Sequence, residues 1–168
     1  LLGQVLLAAG IVAETEHGSA GPKGGRKPVF LTLNCSYGRV LGIEMRPEGY
    51  VAVAADLEGR VIGSWSGGMR ITGTNLRESF VEIAAAVRAR LDSSAPLLGI
   101  GVGLSGVVNP QKALIRYSIP LRIETPYDFR RQVADGYDLP VFVENDANAC
   151  AWGEVGFHRS KRLRDFVF

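Results

Sequence analysis

The sequence has 168 residues, of which 46% are hydrophobic and 21% are charged. These fractions are typical of a folded globular protein and exclude an intrinsically disordered chain. The formal net charge of +2 is too small to indicate a nucleic-acid partner by itself, so any basic surface has to be local. The apolar run at residues 1–13 is too short to span a bilayer and lacks a basic segment before it, so we expect no membrane partner.

The two cysteines, Cys35 and Cys150, lie far apart, and no cysteine or histidine has the spacing of metal ligands. We therefore expect neither a disulfide framework nor a metal site, and reduced thiols in a cytoplasm are the simplest interpretation. Because the chain begins with Leu1 and ends on the strand-like run 165–168, we expect it to be part of a longer protein.

The first third of the chain predicts a short helix and two strands. Residues 1–9 can form the last turns of a helix that Gly10 ends, and the runs 11–16 and 28–33 alternate enough to form strands. Helix, strand, flexible loop and strand is the order of the second half of a winged helix. An arbitrary hairpin explains the same pattern equally well.

The loop between these two strands is rich in glycine and carries a cluster of three cations: Lys23, Arg26 and Lys27. Such a loop can lay its cations along DNA phosphates or in a minor groove. On composition alone, an ordinary solvated loop is the alternative. A second basic run, residues 158–164, is interpreted as a solvated connection.

The next part of the chain predicts a three-stranded meander and a helix. The strand-like runs 40–43, 50–55 and 60–65 are separated by turn signals, which indicates antiparallel pairing. Asn75 can then cap a helix. The apolar residues of that helix recur at helical spacing: Leu76, Phe80, Ile83, Ala84, Val87 and Leu91.

The second half of the chain alternates strands and helices. The short apolar runs 97–103 and 140–143 predict strands that are buried on both faces. Helices are predicted over residues 127–137 and 145–153. A meander followed by this alternation predicts an α/β fold with a mixed sheet.

Residues 101–106 match the pattern GxGxxG directly after a predicted strand. A dinucleotide site requires a helix to begin at those glycines. Turn residues at 107–110 and an extended run at 113–117 follow instead, so we expect no dinucleotide cofactor. The glycines are better explained by a sharp turn or by close approach of the backbone to a ligand.

The stretch Glu-Asn-Asp-Ala-Asn at residues 144–148 follows an apolar strand, which is where open α/β sheets place ligands. Asp146 can accept a hydrogen bond or a proton from a sugar hydroxyl, and Asn145 offers the same polyol a donor and an acceptor. From these residues alone, capping of the following helix is the alternative.

Together these stretches resemble the ROK family, whose members are sugar kinases and sugar-responsive repressors. Residues 42–44 and 49–61 resemble the family's first hairpin, and residues 101–110 are similar to its sugar-side loop. Residues 139–149, continuing to Gly153 and Glu154, resemble the signature around its catalytic aspartate. The first 34 residues resemble the end of the DNA-binding domain of the repressor branch.

The resemblance implies an actin-like, ribonuclease H-like ATPase-type N-terminal lobe over residues 37–168. Residues 1–36 would be the C-terminal part of a winged helix-turn-helix domain, with DNA contacts from the three loop cations. The implied partners are DNA and a sugar or sugar phosphate, in a homodimer or higher homo-oligomer of the full-length protein, with no cofactor. The implied sugar-binding residues are Ser105, Gly106, Asn145 and Asp146.

One departure from the family pattern favours the repressor over the kinase. Kinases of the family place a Gly-Gly-Thr-Lys type of turn after the first strand, where this chain has Met45-Arg-Pro-Glu48. Pro47 has no amide hydrogen to give a phosphate and Glu48 would repel one, although Arg46 could attract one. We therefore expect no useful phosphoryl transfer. The alternative is an ATP-dependent sugar kinase, glucokinase-like, with a degenerate phosphate loop and Asp146 as its catalytic residue, and a sensor of a partner protein is a third hypothesis.

A second departure concerns the sugar. The segment 117–121 lacks the asparagine that many family kinases carry there, so the resemblance does not specify which sugar binds. The family's zinc motif and its downstream sugar-binding residues would lie beyond Phe168, so no metal is assigned to this chain.

Overall fold

The computed structural model describes residues 2–17 and 29–157. Its first unit is a helix, α1 (Leu2–Ala8), followed by an antiparallel pair of strands, β1 (Val12–His17) and β2 (Val29–Leu33). Gly10 ends the helix with a φ of 72°, a left-handed conformation that costs glycine little. The predicted helix and strands are confirmed, whereas the loop cations Lys23, Arg26 and Lys27, and the basic run 158–164, lie outside the described residues.

The rest of the chain folds as an α/β unit. Short 3-10 turns occur at Cys35–Tyr37 and Ala134–Gly136. The strands and helices, in chain order, are β3 (Arg39–Arg46), β4 (Gly49–Asp56), β5 (Val61–Gly68), α2 (Leu76–Arg88), β6 (Leu97–Leu104), β7 (Val107–Asn109), β8 (Leu114–Tyr117), β9 (Tyr127–Asp128), α3 (Phe129–Gln132), β10 (Val141–Asn145) and α4 (Asp146–Phe157).

The main sheet has five strands in the order β10-β6-β3-β4-β5. The first three are mutually parallel, and β4 and β5 continue antiparallel from β3, as the meander predicted. The α/β fold with a mixed sheet is therefore confirmed. Strands β7, β8 and β9 form a small separate sheet. Because β3, β6 and β10 are parallel, they end at one edge, which we call the carboxyl edge.

The hydrophobic core lies between α2 and one face of the main sheet. The apolar residues of α2 are spaced three and four apart, so they form one stripe, and Phe80 at its centre is fully buried. Its ring packs edge-on against Phe129 and Tyr137, with centroids 6.3 Å and 5.1 Å away. Alternate residues of the strands, such as Ile43 and Val102, meet this stripe from the sheet.

The opposite face of the sheet is open, so the prediction that residues 97–103 and 140–143 are buried on both faces is wrong. Ile100 and Val102 of β6 are buried, but the alternate residue Gly101 is exposed. Phe142 of β10 is 68% exposed for the same reason, because successive side chains of a strand point to opposite faces. In β6 the residues that alternate with the buried ones are glycines, which resemble apolar residues in the sequence although they lie on the open face.

The helix predicted over residues 127–137 is also wrong. Tyr127 and Asp128 pair with β8, and only the four residues of α3 are helical before a 3-10 turn. The Asp128 carboxylate accepts a hydrogen bond from the Arg131 amide and so caps the helix, which begins only at Phe129. Val133, with φ −124° and ψ −58°, then departs from helical geometry and ends it.

Asn75 precedes α2, but its side chain does not cap the helix as predicted. Its Oδ1 accepts from the backbone amide of Thr72 at 2.8 Å, and its Nδ2 donates to the carbonyl of Arg70 at 2.8 Å. The amide is therefore used to close the loop that joins β5 to α2. The helix itself ends at Arg88, before Leu91, which the periodicity had included.

Helix α4 follows β10 directly, as the sequence predicted, and lies against the open face of the sheet. It is apolar around most of its circumference, and Trp152 on it is 70% exposed. Within residues 2–17 and 29–157, neither this helix nor any other is long and apolar enough to cross a membrane.

Candidate functional site

Asp146 stands at the junction of β10 and α4, on the carboxyl edge of the main sheet. The side chain is half-buried, and its Oδ1 accepts a hydrogen bond from the Ala147 amide at 2.9 Å. Within the described part of the chain, no residue donates to its second oxygen. The carboxylate is therefore held in place by the helix start and keeps an oxygen available for a ligand.

A cavity of about 570 Å³ lies between α4 and the open face of the sheet, and Asp146 borders it. Most of the lining is apolar, from Phe142 and from glycines on two strands, and the carboxylates of Glu44, Glu144 and Asp146 are its acidic groups. A Cβ on Gly103 would lie 3.8 Å from the Asp146 Cα, which is an ordinary van der Waals contact, so β6 and the start of α4 are neighbours at that end of the cavity. Polyol hydroxyls would find acceptors among the carboxylates and no partners along the apolar lining.

Asn145 connects two parts of this site. Its Nδ2 donates to the carbonyl of Gly106 at 2.9 Å, and its Oδ1 accepts from the Asn148 amide at 3.0 Å. It therefore caps α4, the alternative that the residues alone had left open, and also ties the loop after β6 to the helix start. Both ends of its side-chain amide already have protein partners. Its role in sugar binding stays a prediction.

The loop at Ser105 and Gly106 is fixed from a second side by Ser118. The Ser118 hydroxyl is fully buried and donates to the carbonyl of Ser105. A Cβ on Gly106 would lie 2.6 Å from the carbonyl oxygen of Tyr117, closer than real contacts allow, so this close approach requires glycine. The Ser105 side chain is exposed. The structure thus brings Gly106, Asn145 and Asp146 together and holds their backbones firmly.

At the same loop, β6 leads into β7, so no helix begins at the glycines of residues 101–106.

Glu144 is a site residue that the sequence analysis did not single out. Its Oε1 accepts from the backbone amide of Asn145 at 2.7 Å and from Nδ2 of Asn148 at 3.2 Å. These bonds orient the start of α4 and hence Asp146. The signal that could have identified Glu144 was its position at the start of the polar stretch 144–148. In residues 2–17 and 29–157 no group of three His, Cys, Asp or Glu side chains is arranged to hold a metal ion.

Arg46 is paired with Glu44 through two hydrogen bonds of 2.7 Å each. The pKa of Arg46 is raised, first by these hydrogen bonds and the charge of Glu44, and further by the charges of Glu48 and Asp146. Arg46 is thus already engaged, which weakens it as a receptor for a nucleotide phosphate. Glu48 follows the end of β3 and Asp146 follows the end of β10, and these strands run in the same direction, so both residues lie at the carboxyl edge.

The turn after β3 is shorter than predicted. Strand β3 continues through Arg46, which pairs with Gly49, so only Pro47 and Glu48 form the turn. The carbonyls of Pro47 and Glu48 accept hydrogen bonds from the amides of Ile71 and Met69, at 3.0 Å and 3.1 Å. Because the turn has only two residues and Pro47 has no amide hydrogen, it presents no run of successive amides that could cradle a phosphate.

A second cavity, of about 490 Å³, opens beside this turn. Its polar lining residues come from the turn after β3, the loop after β5 and the loop between β8 and β9: Glu48, Arg70, Thr72 and Arg122. The sequence analysis missed this group, because more than 70 residues separate the first member from the last and no local pattern joins them.

A family model described as "ROK family" matches residues 41–168. A xylose repressor from Caldicellulosiruptor bescii is 28% identical over 166 residues, which are 97% of this chain and 41% of the repressor. A glucokinase from Streptomyces coelicolor is 27% identical over 132 residues, or 77% of this chain and 39% of the kinase. The crystal structure of a ROK family transcriptional regulator, a homolog of the E. coli MLC protein, matches with a TM-score of 0.70 and 21% sequence identity. The match covers 92% of this chain and 39% of that one, so the two share a fold. The chain thus spans about two fifths of the length of these relatives.

Proposed function

The chain belongs to the ROK family, and on this premise we propose that it is part of a transcriptional repressor whose binding to DNA is controlled by a sugar or sugar phosphate. Residues 1–36 would be the C-terminal part of the winged-helix DNA-binding domain, and residues 37–168 the actin-like N-terminal lobe of the sugar-binding domain. The observation that carries the proposal is the helix and hairpin unit of α1, β1 and β2, joined directly to the α/β lobe.

The extent of the similarity to relatives supports the repressor over the kinase. The xylose repressor matches 97% of this chain, so the match has to include most of residues 1–36. The match to the glucokinase covers 77% of this chain, and the part that it leaves out is about as long as residues 1–36. The family model begins only at residue 41. A sequence match that extends over the helix and hairpin unit therefore supports a repressor rather than a kinase.

The geometry around Asp146 supports a carbohydrate as the effector. A half-buried carboxylate with one unused oxygen, beside a rigid loop at the edge of a parallel sheet, can accept hydrogen bonds from sugar hydroxyls. In the full-length protein a second lobe would close over this edge. We propose that closure changes the spacing of two wings in a cytoplasmic homodimer and so the fit to paired half-sites.

A sugar kinase is the alternative function, supported by Asp146 and by the similarity to a glucokinase. The turn at Pro47 and Glu48 argues against it, because Pro47 has no amide hydrogen to donate and the Glu48 carboxylate would repel a phosphate. In a coupled assay over a panel of aldoses with ATP, we expect the full-length protein to release no sugar-dependent ADP. Turnover that Asp146→Asn abolishes would establish the kinase instead.

The DNA-binding role of Lys23, Arg26 and Lys27 is tested by changing all three to glutamine in the full-length protein. We expect DNA affinity to fall and the slope of log affinity against log salt to decrease by about 2.7 for each wing that contacts DNA, hence by about 5 for a dimer, because each cation that contacts a phosphate contributes about 0.9. Fluorescence anisotropy with labelled operator DNA over a salt series measures both quantities.

The matched control replaces three exposed arginines of the lobe, Arg77, Arg90 and Arg131, by glutamine. This control removes the same charge from the protein and should leave the salt slope close to that of the wild type. Equal slopes in all three proteins would show that the loop cations do not contact DNA.

A further inference from the structure

The junction between the helix and hairpin unit and the α/β lobe is the short segment 34–38, between β2 and β3. Cys35–Tyr37 form the 3-10 turn of this segment, and Gly38 is buried against the side chain of Leu98. Between residues 2–17 and residues 34–157, every hydrogen bond that the structure describes is made by Asn34. The junction is therefore an ordered connection, unlike a flexible linker, and Asn34 is its central residue.

The Asn34 side chain joins the two sides of this junction. Its Nδ2 donates to the carbonyl of Gly10, at the end of α1, at 2.8 Å. Its Oδ1 accepts from the Ser36 amide at 3.1 Å and so caps the 3-10 turn. The ring of Tyr37 lies beside Gly10, where a Cβ would be 4.0 Å from it. A single amide group thus fixes the end of the helix relative to the turn that enters the lobe.

The helix and hairpin unit is itself held together. The backbone amide of Asn34 donates to the carbonyl of Ile11 at 2.9 Å, which extends the pairing of β1 with β2 by one bond. Helix α1 packs against β2, because a Cβ on Gly3 would lie 3.3 Å from the Leu31 side chain. The loop cations lie between the two strands in the chain, so the direction of the hairpin determines where that loop begins and ends.

On the lobe side, Arg39 anchors the junction to the loop that joins α2 to β6. Its guanidinium group is buried and donates to the carbonyl of Asp92 at 3.0 Å, to the Asp92 carboxylate at 2.7 Å and to the Ser94 hydroxyl. Its backbone amide donates to the carbonyl of Pro96 at 2.9 Å. Strand β6 runs from this loop to the loop at residues 105–106, so the sheet connects the junction with the candidate sugar site.

The 3-10 turn meets the lobe at a second place, the turn between β4 and β5. Burial raises the pKa of the Cys35 thiol, and so do a hydrogen bond with Glu58 and the charges of Glu58 and Asp56. These two carboxylates belong to the β4–β5 turn. The junction is thus in contact with the lobe on both sides of Asn34's neighbouring turn, through Cys35 and through Arg39.

We propose that Asn34 is a positioning residue that sets the direction of the helix and hairpin unit relative to the lobe, and hence the half-site spacing that a dimer recognises on DNA. In a two-fold dimer, the orientation of the DNA-binding unit in each protomer determines the separation of the two recognition elements. A hydrogen-bonded junction carries a movement of the lobe to the unit, whereas free rotation at residues 34–38 would absorb it. The inference rests on the proposed function, because it presupposes a dimer that binds DNA.

The test uses Asn34→Asp in the full-length protein, which separates the two roles of the side chain. The carboxylate still accepts from the Ser36 amide, but it has no hydrogen to donate to the Gly10 carbonyl. Fluorescence anisotropy measures affinity for an operator selected from genomic fragments and for the same operator with 2 base pairs inserted between its half-sites. Each added base pair rotates one half-site by roughly 35° relative to the other. We expect the insertion to weaken wild-type binding by tenfold or more and that of the variant by less than threefold.

The matched control is Ser36→Asp, which adds the same charge two residues further on and leaves both side-chain bonds of Asn34 in place. It should discriminate between the two operators as the wild type does. Asn34→Ser is the uncharged second variant: its hydroxyl can cap the turn but is too short to reach Gly10, so it should tolerate the insertion.

Hydrogen exchange gives an independent readout of the same junction in the protein without DNA. In both Asn34 variants, the amides of residues 34–37 should exchange at least tenfold faster than in the wild type, because the turn is no longer tied to α1. The amides of β6 should exchange at unchanged rates, which shows that the lobe remains folded.

Equal discrimination between the two operators by the wild type and both Asn34 variants would overturn the inference. Equal affinity of the wild type for both operators would also overturn it, and so would loss of discrimination in Ser36→Asp, which would assign the effect to charge. All of these results require selective DNA binding. Its absence from the wild type would instead remove the proposed function, and the inference with it.

Discussion

Replacing Asp146 by asparagine in the full-length protein should weaken sugar binding by about 10- to 150-fold and abolish the response of DNA binding to sugar. The carboxylate accepts hydrogen bonds from hydroxyls as a charged group, and such bonds contribute roughly 1.5–3 kcal/mol each. Asparagine has nearly the same shape and can still accept the Ala147 amide through its Oδ1, so the start of α4 is preserved. Titration calorimetry over a panel of sugars and sugar phosphates measures the loss.

The control for this experiment is Asp135→Asn, an exposed acid in a 3-10 turn that borders neither cavity. It removes the same charge and should leave sugar affinity unchanged. If Asp146→Asn binds sugars as the wild type does, then the carboxyl edge at Asp146 is not the sugar site, and the proposal has to be abandoned.

The second large effect is expected in the core. Phe80→Ala should lower the free energy of unfolding of the lobe by about 3–5 kcal/mol, because it empties a fully buried position that contacts the rings of Phe129 and Tyr137. These two partners come from the segment before β10, so the loss would also loosen the support of that strand and of Asp146 beyond it. Urea unfolding of the full-length protein, followed by circular dichroism, measures the change.

Val81→Ala is the matched control, since Val81 is the next residue of α2 and faces solvent. It should cost less than about 0.5 kcal/mol, as surface substitutions usually do. Phe80→Leu retains most of the buried volume, so it should give an intermediate loss and keep the comparison possible if the alanine variant does not fold. Equal stability of the Phe80→Ala and Val81→Ala proteins would contradict the assigned core.

The long periodic elements of this fold could be predicted from the sequence. Helix α2 has apolar residues at helical spacing over three turns, and the meander strands are separated by clear turn signals, so both are as expected. The position of Asp146 at a strand end was predictable for the same reason, because an apolar run and a helical pattern meet there. These features depend on local periodicity, which the sequence contains.

Other features depend on contacts that the sequence does not contain. The apolar run 97–103 includes glycines that occupy one face, and whether a glycine lies under a packed element or an open surface is a tertiary property. The segment 127–137 has helical spacing, but Tyr127 and Asp128 pair with β8, so the helix cannot include them. Asn75 has a better hydrogen-bonding use in the loop after β5 than at the helix start.

The composition of the second cavity was not predictable either. Arg70 and Arg122 border the same cavity because Gly73 and Leu121 join two loops, and neither arginine stands in a pattern that a sequence motif would identify. The location of the candidate site at the carboxyl edge, in contrast, follows from strand direction alone. Candidate site residues at one strand end are thus predictable, and residues that converge from separate loops are not.

The most direct test of the central claim is the affinity of the full-length protein for operator DNA, selected from genomic fragments, with and without the sugar panel. We predict sequence-selective binding that at least one sugar or sugar phosphate changes by tenfold or more, and a change that Asp146→Asn removes. Absence of selective DNA binding under all of these conditions would contradict the account.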